Sequence, residues 1–540
     1  MNKCALLNGN IITINEENPR AEALLIYSDR IVKVGSTKEI RKNIDADTKI
    51  IDLQGKTLIP GFVDCHAHPR MYGLSLLRVD CRSPPVKSIE DILENVRMKV
   101  GEKEDGEWIQ GNGYDDFKLV EKRHPTRYDL DKVAPNNPVI INRLCGHISV
   151  VNSFALSLAG ITKDTVDPEG GQIDRDPLTG EPNGVLRGGA RNAVYTQIPS
   201  TDVETLKKGI ELAAKEFHAR GVTSVSDAGV GNSMVFRVYK ELQSEGLKLR
   251  VNLMMSSNMI ESLENIGIET GFGDEWLKIG AIKLYCDGSF SGRTAAMFEP
   301  FLDTPDNMGI LYSTQEEMND NVYKAHKAGF QVGVHAIGDR AISTVLKAYE
   351  VALEKMPKHD HRMRVEHCGI NTPEIIEKIS DLEVIPVPQP IFLYGEGESY
   401  RAGLSLDKQE WAYPFRTWLE NGIHVSFSSD CPATSGNELI SPLLGIYVAL
   451  NRMTDSGNEV GPTQKIDVMS ALKAYTLDSA YSTFEESSKG SIEEGKLADL
   501  VVLSEDPTIV NTHEIKDIKI VTTIVGGEIV YQNPIFSSNE

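Results

Sequence analysis

The chain has 540 residues, 40% of them hydrophobic, with a formal net charge of −22: longer than one average domain, but within the reach of a barrel that carries insertions. So large an acidic excess excludes nucleic acid as a partner, because a phosphate binder needs a basic face; a solvated acidic surface accounts for it. No apolar run approaches the ~20 residues that span a bilayer, and the N-terminal MNKCALLNGNIITINEENPR lacks the length and cleavage site of a secretory signal, so the expectation is a cytoplasmic protein with no membrane partner.

In chain order, CALLNGNIITI, AEALLIYSDRIVKVGS and TKIIDLQGKTLIPG are short β-rich runs punctuated by Gly, Asn and Asp. The C-terminal GKLADLVVLSEDP and IVTTIVGGEIVYQ have the same texture. Residues 1–58 and 485–540 are therefore expected to form one β-sandwich from both termini. Between them, over 59–484, apolar strand-like runs alternate with helical stretches. The runs are TLIPGFVDCHAH, GVTSVSDAG, LKLRVNLMMS, LKIGAIKLYCDG, FQVGVHAIGD, MRVEHCG, LEVIPVPQP and IHVSFSSDCP. Helix-like segments precede most of them, such as DVETLKKGIELAAKEFHARG before the second and EEMNDNVYKAHKAG before the fifth. Eight such units predict an α/β fold, a (β/α)8 TIM-type barrel with strands buried on both faces. About 150 residues separate His68 from the second run, far more than one crossover helix needs. An insertion at about 73–200 is therefore expected, with a helix near IEDILENVRMKV, forming a wall or lid of the pocket.

The chemistry-bearing residues fall on these runs. His66 and His68 in GFVDCHAHP are two apart, so on a strand they share a face and can hold one metal between them. Lys283 lies on the fourth run, His335 on the fifth, His367 on the sixth and Asp430 on the eighth. Each alone has a plain structural reading, a satisfied core histidine or a capping aspartate. Together they place six metal-capable groups at the strand ends where barrel active sites form. Imidazoles and carboxylates suit zinc and its divalent neighbours. A lysine that has reacted with CO2 becomes an anionic carbamate able to bridge two ions; otherwise Lys283 needs an ion-pair partner. A bound metal lowers the pKa of water to about 7, and Asp430 can move the proton from attacking water to a leaving amine. Cys65, Cys286, Cys368 and Cys431 sit at odd offsets from these ligands, so they are expected to face the surrounding helices as apolar fillers. The seven cysteines include no C-x-x-C pair and read as reduced thiols. GNGYDDF and GEGESY lack a full phosphate-loop spacing, and no G-x-S-x-G elbow is present.

GFVDCHAHP, IKLYCDGSFSGRTA, VHAIGDRAI, RVEHC and SFSSDCPA resemble the amidohydrolase superfamily, in particular amidohydrolase family 3, with its YtcJ-like proteins and N-substituted formamide deformylases. The resemblance implies that His66 and His68 bind the more buried metal with Asp430 nearby, that His335 and His367 bind the more exposed one, and that a carboxylated Lys283 bridges. One or two divalent ions, zinc by this pattern, are implied per chain, with Asp430 as proton shuttle. Arg293, in the stretch from Asp287 to Ala295, either clamps a substrate carbonyl or anion or closes its loop by a salt bridge. His147 in CGHISVVNS is a pocket candidate or a structural histidine, and Gln389, Asp287 and Asp339 are further substrate-binding candidates. The implied activity is hydrolysis of a non-peptide C–N bond in a small amide-type substrate, an N-substituted formamide or N-acyl compound. The alternatives are a cyclic-amide hydrolase and a metal-binding sensor that retains the fold. An exposed sandwich edge would permit a homodimer.

Overall fold

A computed structural model describes residues 3–83, 85–144, 147–432 and 440–536, and the chain divides into two compact units, Met1–Pro69 with Ala214–Glu540, and Arg70–Ala213. The first unit contains seven parallel strands: β1 (Phe62–Ala67), β2 (Val222–Val230), β3 (Arg250–Ser256), β4 (Leu277–Tyr285), β5 (Val332–Ala336), β6 (Arg364–His367) and β7 (Ile385–Val387). They pair in chain order, each with the next. Nearly every residue in them is buried, as strands with helices outside and a packed interior require.

The eighth expected run is not a ladder strand, yet it occupies the closing position. On one side Ser426 N and Ser428 N donate to Pro386 O and Pro388 O, both at 3.1 Å. On the other, Asp430 N donates to His66 O and His68 N to Cys431 O, both at 2.7 Å. The barrel is thus nearly closed, with seven strands and one irregular segment. The irregularity follows from Asp430, whose φ of 53° lies in the left-handed region that breaks strand geometry.

The terminal sheets contain four and six strands. Leu500–Leu503 pairs antiparallel with Thr57–Pro60, joining the two chain ends in one sheet. Leu6, Leu24 and Ile26 of the first sheet pack with Leu58, Leu500, Val502 and Ile524 of the second in one core. The run TLIPGFVDCHAH is therefore two strands in two sheets, split at Gly61, rather than one barrel strand. A Cβ at Gly61 would stand 2.3 Å from Thr223 Oγ1, so glycine permits this approach of the chain to β2.

The second unit has a six-stranded sheet and its own apolar core. Its helix Ile89–Val100 starts at Ser88 with a capping box to Asp91 and buries Ile89, Ile92, Leu93 and Val96. The unit extends past the expected 73–200 because Gly73 and Gly209 bring its two ends together; a Cβ on Gly73 would meet Gly209 O at 1.9 Å. Among the described residues no helix is long and apolar enough to cross a membrane.

Candidate metal centre

Five barrel elements deliver their side chains to the C-terminal ends of the strands. His66 ends β1 with His68 just beyond it, Lys283 is near the end of β4, His335 is on β5, His367 closes β6, and Asp430 ends the irregular segment. The Nε2 atoms of His68 and His66 stand 3.1 and 3.4 Å from Asp430 Oδ1. Lys283 Nζ is 3.3 Å from His66 Nε2. The His367 ring lies 4.9 Å from that of His66 and 4.3 Å from that of His335. All six groups thus converge.

Hydrogen bonds fix which nitrogen is free in three of the four imidazoles. His66 Nδ1 lies 2.5 Å from Glu366 Oε2, so it carries the proton and Nε2 keeps its lone pair. Glu366 is held in turn by Arg364, at 2.8 Å from Nε and 3.0 Å from Nη2, and all three residues are buried. His367 Nδ1 donates to Gln389 Oε1 at 2.7 Å, which likewise frees its Nε2. His335 Nε2 donates to Gly288 O at 3.0 Å, which frees Nδ1. Burial first, then the Lys283 charge, lowers both His66 and His335 to about 4, and burial holds His367 well below its usual value. All three imidazoles are neutral at pH 7. Burial raises the Asp430 carboxyl, but the contact with His68 and the other imidazoles around it outweigh this, and the net shift is downward. Burial lowers Lys283 to about 8, against the opposing pull of Glu366 and Asp430.

This donor set fits a divalent cation. Asp430 Oδ1 is buried and accepts no hydrogen bond, although two imidazole nitrogens face it. A lone-pair nitrogen opposite a carboxylate oxygen is repulsive unless a cation joins them. The ligand atoms of His66, His68 and Asp430 all lie within 4.8 Å of one another, and the Glu366–His66 contact is the carboxylate–imidazole support typical of metal ligands.

The Amidohydrolase family profile matches residues 49–531. The chain belongs to the amidohydrolase family. It is 29% identical to an N-substituted formamide deformylase of Arthrobacter pascens, over 98% of this chain and 99% of that one. It is 30% identical to the putative amidohydrolase YtcJ of Bacillus subtilis, over 97% and 98%. Among solved structures, an uncharacterised metal-dependent hydrolase from Pyrococcus furiosus superposes with a TM-score of 0.77 at 30% identity, covering 94% of this chain and all of that one.

The other candidate residues of this amidohydrolase take different places. Arg293 closes its loop: its five N–H groups go to Asp303, Phe290 O, Ser399 Oγ and Ser399 O. All five are thus engaged within the fold, which is the loop-closing arrangement. Asp287 lies 3.5 Å by Oδ1 from His335 Nε2, but its carboxylate is taken up by backbone donors. It accepts from Ala296 N, Ile337 N and Gly338 N at 2.8–3.0 Å and organises the loops after β4 and β5. Burial raises its carboxyl to about 7 despite these bonds. Asp339 accepts from Phe298 N and Arg340 N, again a loop contact. Gln389 serves His367, anchored itself by Ser428 Oγ at 2.8 Å. His147 is exposed and lies in the second unit.

Reasoning from sequence missed Glu366, Arg364 and Asp64. Asp64 accepts from Ser429 Oγ at 2.5 Å and Ser429 N at 3.0 Å, tying β1 to the closing segment beside Asp430. A readable signal existed: Arg364 and Glu366 are opposite charges two apart in a buried strand, and Asp64 continues the two-residue spacing of His66 and His68. The cysteines behave as expected fillers. Cys65 Sγ faces Ser479 O and Cys286 Sγ faces Ala341 O, and burial raises both thiols, Cys286 to about 12.

Proposed function

We propose that this amidohydrolase is a metal-dependent enzyme that hydrolyses a non-peptide C–N bond of a small amide, an N-substituted formamide or a related N-acyl amine. The observation that carries the reading is the buried Asp430 Oδ1, unsatisfied by hydrogen bonds and faced by the Nε2 atoms of His66 and His68 at 3.4 and 3.1 Å. A divalent ion there, zinc by this donor set, supplies Lewis acidity and activates water at neutral pH. His66, His68 and Asp430 would hold one ion, and His335 and His367 a second. Lys283, whose amine is lowered to about 8 and so has a neutral fraction able to react with CO2, would as a carbamate supply a further anionic oxygen donor between these groups. Asp430 takes the proton of the attacking water on its carboxylate and returns it to the leaving amine nitrogen. Glu366 keeps His66 in the required tautomer, and Gln389 does the same for His367. Six free buried cysteines among the described residues agree with a reducing, cytoplasmic setting.

The test is hydrolysis of N-butylformamide by metal-loaded protein in 18O-water. One 18O in the released formate, lost on chelation and restored by zinc, is the expected result. Turnover insensitive to chelator, or product without the label, would overturn the reading.

A further inference from the structure

The metal centre uses the C-terminal ends of the barrel strands. The opposite end carries a cavity of about 290 Å³, the space of roughly ten waters at ~30 Å³ each. Asn252 near the start of β3, Lys278 at the start of β4 and Gln331 just before β5 line it, with Phe484 from beyond the helix Leu477–Tyr481. Asn252 and Lys278 are register partners across β3 and β4, so their side chains leave the sheet on one face. A Cβ at Gly280 would stand 1.8 Å from Asn252 Oδ1, so glycine makes the room that the amide occupies. The wall around it is tied down. Thr270 Oγ1 donates to Gly280 O at 2.7 Å and accepts from Gln331 N at 2.8 Å, and Gln331 Nε2 donates to Arg362 O and Ser482 O.

Asn252 marks this cavity as a site. Its side chain lines the space at 7% exposure, and among the described residues no hydrogen bond engages its amide. A buried amide without a partner is costly, and a group entering the cavity relieves that cost. The charges nearby select the group. Lys278 Nζ lies 3.3 Å from Glu485 Oε1, while Lys489 Nζ lies 2.9 Å from Glu485 Oε2 and donates to Ser224 Oγ at 3.1 Å. Two cations thus share one carboxylate. At the exposed rim Lys358 and Glu269 are of opposite sign. Among these five groups one positive charge is in excess, although the whole chain carries −22. The Asn252 NH2 offers two donors and Lys278 a charged one, which suits an anion with oxygen acceptors. An excess of one charge matches a monoanion rather than a phosphate dianion. Ile279 and Phe484 add an apolar wall for a short chain.

We propose that the cavity at the N-terminal end of the barrel binds a small aliphatic monocarboxylate, its oxygens on Lys278 Nζ and the Asn252 amide and its chain along Ile279 and Phe484. The site lies at the other end of β4 from Lys283 and does not depend on which bond the metal centre cleaves. The competing role for Asn252 is a hydrated amide in the barrel floor, which would show no preference among solutes.

Hexanoate, hexanamide and hexylammonium share a shape and differ in charge, so calorimetric titration of each into metal-loaded protein separates these roles. Hexanoate is expected to bind, with the amide and the ammonium about tenfold weaker. Lys278→Met and Asn252→Leu should each weaken hexanoate about tenfold while zinc content and the far-UV spectrum stay as in the wild type. Glu485 keeps Lys489 and a 2.9 Å bond from Thr483 Oγ1 in Lys278→Met, so its charge is not stranded. Should either variant fail to fold, Lys358→Glu alters only the exposed rim and should weaken hexanoate about threefold. Hexanoate affinity equal in the wild type and the folded variants would place the ligand elsewhere, the metal centre included, and overturn the proposal. Equal binding of the three compounds, or no hexanoate binding at millimolar concentration, would overturn it as well.

Discussion

Replacing Glu366 by Gln tests how the metal centre is supported. Glu366 and Arg364 are each 0% exposed and His66 is 1% exposed, and the carboxylate joins them by three contacts of 2.5–3.0 Å. The amide cannot accept from His66 and Arg364 on both of its ends, and it leaves the Arg364 charge buried without a counter-charge. Arg364 Nη1 lacks a partner, and the Cys65 O that Nη2 meets at 2.8 Å is a neutral carbonyl that does not replace the lost charge. Removing one member of a buried pair costs about 3–5 kcal/mol, and loss of the carboxylate behind a ligating histidine weakens metal binding about 10–100-fold. The two effects separate in a double variant. Arg364→Met with Glu366→Gln removes the stranded charge and should recover most of the stability, read as the urea midpoint of metal-free protein. It should not recover zinc affinity, read by competition with a chromophoric chelator. If Glu366→Gln leaves zinc affinity within twofold of wild type, Glu366 does not set the His66 tautomer and the argument fails.

Asp430→Asn should lower kcat by about 10²–10⁴ with the far-UV spectrum unchanged; near wild-type turnover would remove Asp430 from the proton path. His218, 5% exposed, is lowered to about 4 by burial, against a hydrogen bond it donates to the Lys248 backbone carbonyl and the Asp499 charge. The unfolded imidazole protonates near 6.5 while the folded one stays neutral, so stability falls as pH drops from about 6.5 to 4, by about 2–3 kcal/mol. His218→Phe should flatten the pH dependence of the urea midpoint in that window, and parallel slopes in the two proteins would contradict this. Arg293→Met should speed proteolysis of the loop between Ser289 and Tyr312 without a selective rise in KM for carboxylate-bearing substrates. A rise confined to such substrates would restore Arg293 as a clamp.

Much of the fold was legible because hydrophobic runs bounded by glycines report buried strands directly. The runs around His66, Asp227, Lys283, His335 and His367 all became parallel strands. Two features were hidden. Gly61 lets one continuous apolar run serve two sheets, and composition carries no mark of that break. The closing segment reads as a strand in sequence, but its end is governed by the backbone of Asp430. The same cause explains what the site reading missed. Strict alternation would send Glu366 away from the face that His367 shares with the other ligands. His367 has a φ of 70°, so the backbone turns at that residue and both side chains serve the centre. Arg293, Asp287 and Asp339 look like ligand-binding groups in sequence, and only their hydrogen bonds show that the loops use them.

The most direct test of the central claim is the metal content of protein purified without chelator in bicarbonate buffer, measured by mass spectrometry of the metals alongside the intact-protein mass. The account predicts about two divalent ions per chain, with a lysine-bound CO2 lost on acidification and both ions weakened in Lys283→Met. A chain that holds no divalent ion under these conditions would contradict the metal centre built on His66, His68 and Asp430.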